Sequence, residues 1–245
     1  MQKTLILIPS RLSASRLPNK PLLKINGKSI ISLVVEKAKR SKLGEVIVAT
    51  EDKKILIDVK KNGGKAIITS NKHKTGTDRI YECLTKLRSK NIDYIINLQG
   101  DEPLINIDDI KNLDNHTKKN NCMINTLATK IENNKILKNK NIVKVQTDKN
   151  LEKEKFSVAQ NFSRVAIDQS ENIYHHIGIY EFSVNSLKKF VGLKQSINEK
   201  KHNLEQLRAM DNDMMINVSY AKSKVIGIDT QEDYIELKKI MEYKN

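Results

Sequence analysis

No tryptophan occurs among these 245 residues, and aromatic side chains make up only 4% of them. A protein that tracks single-stranded nucleic acid stacks bases on aromatic platforms along a cationic groove, and the lysine runs here carry almost no aromatic interleaving. Glycine (9) and proline (4) are also sparse, which argues against a disordered chain and against an all-β fold with many tight turns. The two cysteines, Cys83 and Cys122, are far apart, with no Cys or His close by at metal-ligand spacing. They read as reduced packing residues in a reducing compartment. Long apolar runs are missing as well. The stretch Leu5 to Ile8 is shorter than the ~7–15 apolar residues of a signal peptide, and nothing approaches the ~18 of a membrane span. The expectation is a cytoplasmic protein without a membrane span.

What the chain has in excess is positive charge: 44 Lys and Arg against 29 Asp and Glu, a formal net of +15. A basic surface can attract nucleic acid or anionic lipid. Runs such as Lys118-Lys119-Asn120-Asn121 and Lys138-Asn139-Lys140-Asn141 fit solvated surface better. No specific nucleic acid partner is expected, although such a surface also draws in an anionic nucleotide.

Short apolar strands alternate with helical periodicity along the first hundred residues. Leu5 to Ile8 ends at Pro9 as a strand buried on both faces. Asn26-Gly27 marks a turn, and Ile30, Val34 and Ala38 have helical spacing. Strands are expected at Glu45–Thr50, Ala66–Ile68 and Tyr94–Leu98, with helices over 53–61 and 77–87. This alternation is the sequence form of an α/β fold with a doubly wound, mostly parallel sheet. Residues 131–141 read as a polar loop. Strand-like pieces follow at Val143–Val145, Ser163–Ala166 and Ile177–Tyr180, then helices over 184–192 and 203–211. Ile216–Tyr220 returns as a strand, and Gln231–Tyr243 closes as an amphipathic helix. No linker separates independent domains. The expected organisation is one domain over 1–245, with a nucleotide half over about 1–130, an inserted strand-rich piece over about 150–190, and a closing sheet and helix over about 203–245.

Six segments carry chemistry. Ser10 to Lys20 follows the first strand, where open α/β sheets bind ligands, and holds Arg11, Arg16, Lys20 and three serines in eleven residues. Such a loop suits a triphosphate, since hydroxyls and backbone N–H groups cradle oxygens while cations hold the leaving charge. Thr69-Ser70 through Arg79 opens a helix with small residues that allow close approach of a base, ribose or phosphate, or simply cap the helix through Thr75 or Thr77. Gln99-Gly100-Asp101-Glu102-Pro103 sets a carboxylate at a strand's carboxyl edge, where Mg²⁺ can be held beside phosphates. His175-His176 lies on a strand, so only one ring faces a site. Leu204 to Arg208 reads as an amphipathic helix with its leucines inward and its polar residues free. Asp229 or Thr230 caps the last helix, which is compatible with a metal role for Asp229.

Taken in order, and together with Ala49-Thr50-Glu51-Asp52, these segments resemble the CMP-Kdo synthetase (3-deoxy-manno-octulosonate cytidylyltransferase) family. They are Ile8 to Leu22, Ala49-Thr50-Glu51-Asp52, Thr69 to Arg79, Gln99 to Pro103, His176 to Tyr180, Leu204 to Arg208 and Gly227 to Asp233. Each alone is weak, but the ordered set at these spacings is specific. The resemblance implies transfer of CMP from CTP to the anomeric hydroxyl of 3-deoxy-manno-octulosonate (Kdo) for lipopolysaccharide biosynthesis, with release of pyrophosphate. It also implies that Arg11, Arg16 and Lys20 hold the triphosphate, with Lys20, Asp101 and Asp229 catalytic. Ser70, Gly76 and Thr77 would lie near the cytidine. Arg79, Gln99, Arg164, His176, Glu205 and Gln206 would line the sugar pocket, and Asp101 and Asp229 would ligate Mg²⁺. It further implies a homodimer built through the strand-rich insertion. The chain departs from the family pattern at Val165-Ala166-Ile167-Asp168, where Pro-Ile-Pro is usual, and at Asn203, which bears on the sugar side. The alternative is a cytidylyltransferase for another acidic sugar, such as a sialic acid.

Overall fold

The computed structural model describes residues 2–13, 17–87, 91–165, 171–222, 228 and 230–242. The chain packs as two compact units.

One unit comprises Lys3–Ile92, Asn97–Ile107 and Lys224–Asn245. Its first strand, β1 (Thr4–Ser10), is buried at every position, as a strand covered on both faces must be. A 3₁₀ turn at Lys20–Leu22 follows, then the small hairpin β2 (Lys24–Ile25) and β3 (Lys28–Ser29). Asn26 and Gly27 both take positive φ there, 49° and 76°, as an Asn-Gly hairpin turn requires. Helix α1 (Ile30–Arg40) is capped by Ser29, whose side chain accepts from the Ser32 N–H. Strand β4 (Gly44–Thr50), helix α2 (Lys53–Lys61), strand β5 (Lys65–Ile68) and helix α3 (Gly76–Leu87) complete the alternation. β4 pairs in parallel with β1 on one side and β5 on the other, and the intervening helices return the chain so that the carboxyl ends of the strands share one edge. The closing helix Gln231–Glu242 starts with a reciprocal cap. The Thr230 N–H donates to Asp233 Oδ2 at 2.8 Å, and the Asp233 N–H donates to Thr230 Oγ1 at 3.2 Å. Its Leu237, Tyr234 and Met241 join Leu17, Ile25, Ile30 and Ile228 in one apolar cluster.

The other unit comprises Met1–Gln2, Asp93–Ile96 and Asp108–Ser223. It contains β6 (Tyr94–Asn97), α4 (Ile107–Lys119), β7 (Ile124–Lys130), α5 (Asn134–Lys138), β8 (Lys144–Thr147), α6 (Leu151–Glu154), β9 (Phe156–Ser163), β10 (Ile173–Ser183), α7 (Val184–Gly192), α8 (Ile197–His202), α9 (Leu207–Met210) and β11 (Ile216–Tyr220). The strand order is β6-β10-β7-β11-β9-β8. β7 and β11 run parallel, while β10 and β9 run antiparallel to them.

Three expectations are corrected here. The segment 131–141 is not all loop, because Asn133 caps the short helix α5. The strand expected to begin at Ser163 ends there instead. Lys144, fully buried, donates to the carbonyls of Asn139 (2.7 Å), Ile142 (3.0 Å) and Arg164 (2.8 Å), taking the Arg164 carbonyl out of any ladder. The helix expected over 203–211 is interrupted by Asn203, whose φ of 51° ends α8, and resumes only at Leu207.

The polar residues of Leu204–Arg208 are not free. Arg208 is 1% exposed. Its guanidinium meets Glu199 at 2.9 Å and 2.6 Å and lies 4.6 Å from the Phe190 ring centre. Removing one partner leaves the other charge buried. Arg208→Met is therefore expected to lose about 3–5 kcal/mol of stability, measured as a shift of the urea midpoint at unchanged slope.

Candidate active site

Residues from the carboxyl end of β1 and the loop after it, from the segment that leads into α3 and its first turn, and from the segment after β6 line a cleft of about 370 Å³ within the first unit. This is the edge at which open α/β sheets take ligands. Its walls include Ser10, Arg11, Ser13 and Lys20 from the first loop, His73 to Gly76 and Arg79 from the start of α3, and Gln99, Gly100 and Asp101.

Lys20 anchors the side of the cleft formed by the first loop. Asn19 is left-handed at φ 55°, and Pro21 fixes the following turn. Together they turn the Lys20 side chain inward, where Nζ donates to Asp101 Oδ2 at 2.5 Å and to the Ile228 carbonyl at 2.6 Å. Asp101 has a cation beside it in the protein itself, and Lys20 is not on an exposed loop, since its side chain is only 12% accessible. Arg11 lines the same cleft and is exposed. Arg16 and Asp229 lie outside the described residues.

Beside Asp101, the Glu102 carboxyl is buried. Burial first, and the charge of Asp101 second, push it up to about 8 despite the opposing pull of Lys20. It is therefore largely neutral at pH 7. Gly100 is needed because a Cβ there would lie 3.1 Å from both the Pro9 carbonyl oxygen and Ile31 Cδ1.

The opposite wall is the start of α3. Thr75 provides the cap, accepting from the Asp78 N–H at 3.2 Å. Gly76 lets the helix approach Pro9, whose Cγ would be 3.2 Å from an added Cβ. Thr77 turns inward and accepts from Asn97 Nδ2 at 3.1 Å. Arg79, expected in the sugar pocket, does reach the cleft. However, its guanidinium is engaged by Thr69 Oγ1 (2.8 Å), the Ser70 carbonyl (3.2 Å) and the Glu51 carboxylate. Ser70 sits on the turn these contacts hold. The sequence reading assigned no role to His73, a cleft residue whose signal was its place between Ser70 and Thr75.

The remaining candidates lie in the second unit. His176 is buried, with Phe162 edge-on at 5.1 Å and Tyr180 at 5.4 Å. Burial, and then the neighbouring His175, push its ring down to about 3, so it is neutral at pH 7. Thr126 Oγ1 lies 2.7 Å from the Ile179 carbonyl and 3.0 Å from His176 Nε2. The carbonyl can only accept, so the hydroxyl proton goes there and His176 Nε2–H donates to Thr126. Unfolding would let this ring bind a proton below its ordinary value near 6.5. The folded state should thus lose stability as pH falls from about 6.5 towards 3. His176→Phe should show a smaller drop in Tm between pH 7 and pH 5 than the parent protein. Tyr180 is held protonated by burial and by the charge of Glu205. Gln206 is buried at the entrance to α9, and Arg164 reaches the Asn141 and Asn203 carbonyls at 3.4 Å.

Among the described residues no helix is long and apolar enough to cross a membrane. Cys83 and Cys122 are free and buried, and burial raises both thiols to about 12.

A cytidylyltransferase family model matches residues 5–218. The 3-deoxy-manno-octulosonate cytidylyltransferase of Thermodesulfovibrio yellowstonii is 44% identical, over 94% of each chain. That of Brucella canis is 40% identical, over 94% of this chain and 92% of its own. A solved structure of CMP:2-keto-3-deoxy-manno-octonic acid synthetase complexed with CTP superposes with a TM-score of 0.89 at 33% identity, covering all of both chains. UDP-glucose pyrophosphorylase complexed with UDP-glucose, at 16% identity and a TM-score of 0.74 over both full chains, shares the fold.

Proposed function

This chain belongs to the 3-deoxy-manno-octulosonate cytidylyltransferase family, and from that membership we propose that it transfers CMP from CTP to the anomeric hydroxyl of Kdo, releasing pyrophosphate. The observation that carries this reading is the convergence of Arg11, Lys20, Asp101, Gly76 and Gln99 on one cleft at the carboxyl edge of the parallel strands.

The reaction is an in-line displacement at the α-phosphorus. The bond from the sugar oxygen to phosphorus forms as the bond to the β-phosphate oxygen breaks, and no covalent enzyme intermediate is needed. Both substrates are anions, so the site's task is to neutralise charge and to align the attack. Arg11 and Lys20 would bind the triphosphate, where charge grows on the departing pyrophosphate. The tight approach of α3 at Gly76 would set its first N–H groups towards the nucleotide.

Magnesium fits the donor set here. Asp101 presents a part-exposed carboxylate beside the space for the phosphates, and Mg²⁺ is usually held by one or two carboxylates together with substrate phosphates. Asp101 and, by the family resemblance, Asp229 would hold it, and the bound ion would neutralise phosphate charge and lower the pKa of the attacking hydroxyl. Sugar recognition would fall to Arg164, His176, Glu205 and Gln206. The family resemblance also supports a cytoplasmic homodimer, which light scattering at micromolar concentration would test.

Pyrophosphate release from CTP, measured with a panel of acidic sugars, tests the proposal. Turnover with Kdo that EDTA silences and Mg²⁺ restores is the expected result. Preference for a sialic acid would move the assignment to the alternative sugar class.

A further inference from the structure

Helix α3 grips a single residue, Ser70, through both its backbone N–H and its carbonyl. The Ser70 N–H donates to Glu82 Oε2 at 2.8 Å, and the Ser70 carbonyl accepts from Arg79 Nη1 at 3.2 Å. Arg79 and Glu82 are three residues apart and so share a helix face. Arg79 is tied off by Glu51 and Thr69. Glu82 also binds His73 Nε2 and takes Lys86 Nζ at 2.7 Å. Burial alone would raise its carboxyl, but the contacts with Lys86, His73 and the Ser70 N–H outweigh this and bring it down to about 2. Within the turn, Ser70 Oγ accepts from the Lys72 N–H at 3.1 Å, which fixes the hydroxyl's lone pair and leaves its proton to donate. His73, the far end of the gripped turn, is a wall of the cleft.

We infer that Glu82 is a positioning residue for the nucleotide: its carboxylate locks the Ser70–His73 turn so that this wall meets CTP already in its bound geometry. The inference rests on the reading of the cleft as the nucleotide site. A turn of this composition, with Ser70, Asn71, Lys72, His73 and Lys74 in succession, has little apolar side chain to hold it down, so the carboxylate anchors both its start and its end. Preorganisation lowers the cost of binding because the ordering is done before the ligand arrives.

The test is steady-state kinetics of Glu82→Ala and Glu82→Gln, with Lys20→Ala as the control for the cleft. Glu82→Ala should raise KM for CTP roughly tenfold, less than the ~10²-fold that a 1 Å misplacement can cost. It should leave KM for Kdo unchanged and kcat within about twofold. Glu82→Gln should recover part of the loss, because its amide oxygen still accepts from the Ser70 N–H while the negative charge facing His73 Nε2 and Lys86 Nζ is gone. If Glu82→Ala does not fold, Glu82→Gln alone decides, with an expected threefold or so rise in KM for CTP, measured well below a modestly lowered Tm. A normal KM for CTP in both variants, alongside a crippled Lys20→Ala, would overturn the clamp and leave the cleft assignment standing. A fall in activity towards both substrates that tracks a lowered Tm would show a merely structural carboxylate and would also overturn it. Lys20→Ala with normal CTP use would instead overturn the cleft assignment itself.

Discussion

Asp101→Asn is expected to lower kcat by on the order of 10³-fold while leaving most of the affinity for CTP intact. The carboxylate sits at the carboxyl edge of the parallel strands, and its charge is shared with the Lys20 ammonium 2.5 Å away. Asparagine keeps the shape and one hydrogen-bond acceptor for Lys20 but removes the negative charge that would fix a hard cation beside the α-phosphate. Arg11 and Lys20 remain to bind the triphosphate, so the loss should appear in kcat and not in KM for CTP. Single-turnover measurements with saturating CTP check the split. Full turnover by the variant would remove Asp101 from the chemistry.

Lys20→Ala has the second-largest expected effect and a different signature. It removes a preorganised cation facing a polyanion whose charge grows in the transition state, a loss of about 10²–10³ in kcat/KM for CTP. Lys20 is mostly buried and holds both Asp101 and the Ile228 carbonyl. The variant should therefore also melt earlier, unlike a substitution on a solvated loop. Calorimetry alongside kinetics separates the two effects: the loss in kcat/KM should persist well below the lowered Tm. Wild-type CTP kinetics at that temperature would mean that the loop does not hold the nucleotide.

Some elements were plain in the sequence for reasons the structure now makes explicit. Helix α2 runs over Lys53–Lys61, the expected 53–61, because Ile55 and Val59 form its only buried stripe and Asp52 caps it. β11 and α7 also fall where apolar periodicity put them. By contrast, α4 and β7 mix apolar with polar buried positions, so that Ile110 and Leu113 of α4 and Ile124 and Leu127 of β7 are interleaved with buried polar side chains. Buried positions of α4 include Asp109, Asp114 and Thr117. In β7, Asn125 is fully buried and donates to Thr117 Oγ1, Ser219 Oγ and the Leu113 carbonyl. A side chain whose hydrogen bonds are met inside can be buried at modest cost, and that hides the element from any reading based on hydrophobic spacing.

The cleft shows the same division. Arg11, Lys20, Gly76, Gln99 and Asp101 were legible because each sits just past a strand or at a helix start, where chemistry-bearing residues stand out from the core pattern. What could not be read was which partner each side chain chooses. Arg79 and Lys20 both find protein acceptors, and such choices depend on residues as far away as Ile228.

The Lys20 ammonium lies within one hydrogen bond of positions 81 and 208 residues further along the chain. The same span is bridged where Tyr234 donates its hydroxyl proton to the Lys24 carbonyl and Leu237 packs with Leu17 and Ile25. Contacts of such sequence separation form late and slowly. A ribosome has therefore passed position 228 before the first loop acquires its lasting neighbours. During synthesis the segment from Leu17 to Ile30 waits without Ile228, Tyr234, Leu237 and Met241, so termination before residue 228 yields a chain that keeps Lys20 and Asp101 but lacks the carbonyl and the helix that hold the loop in place.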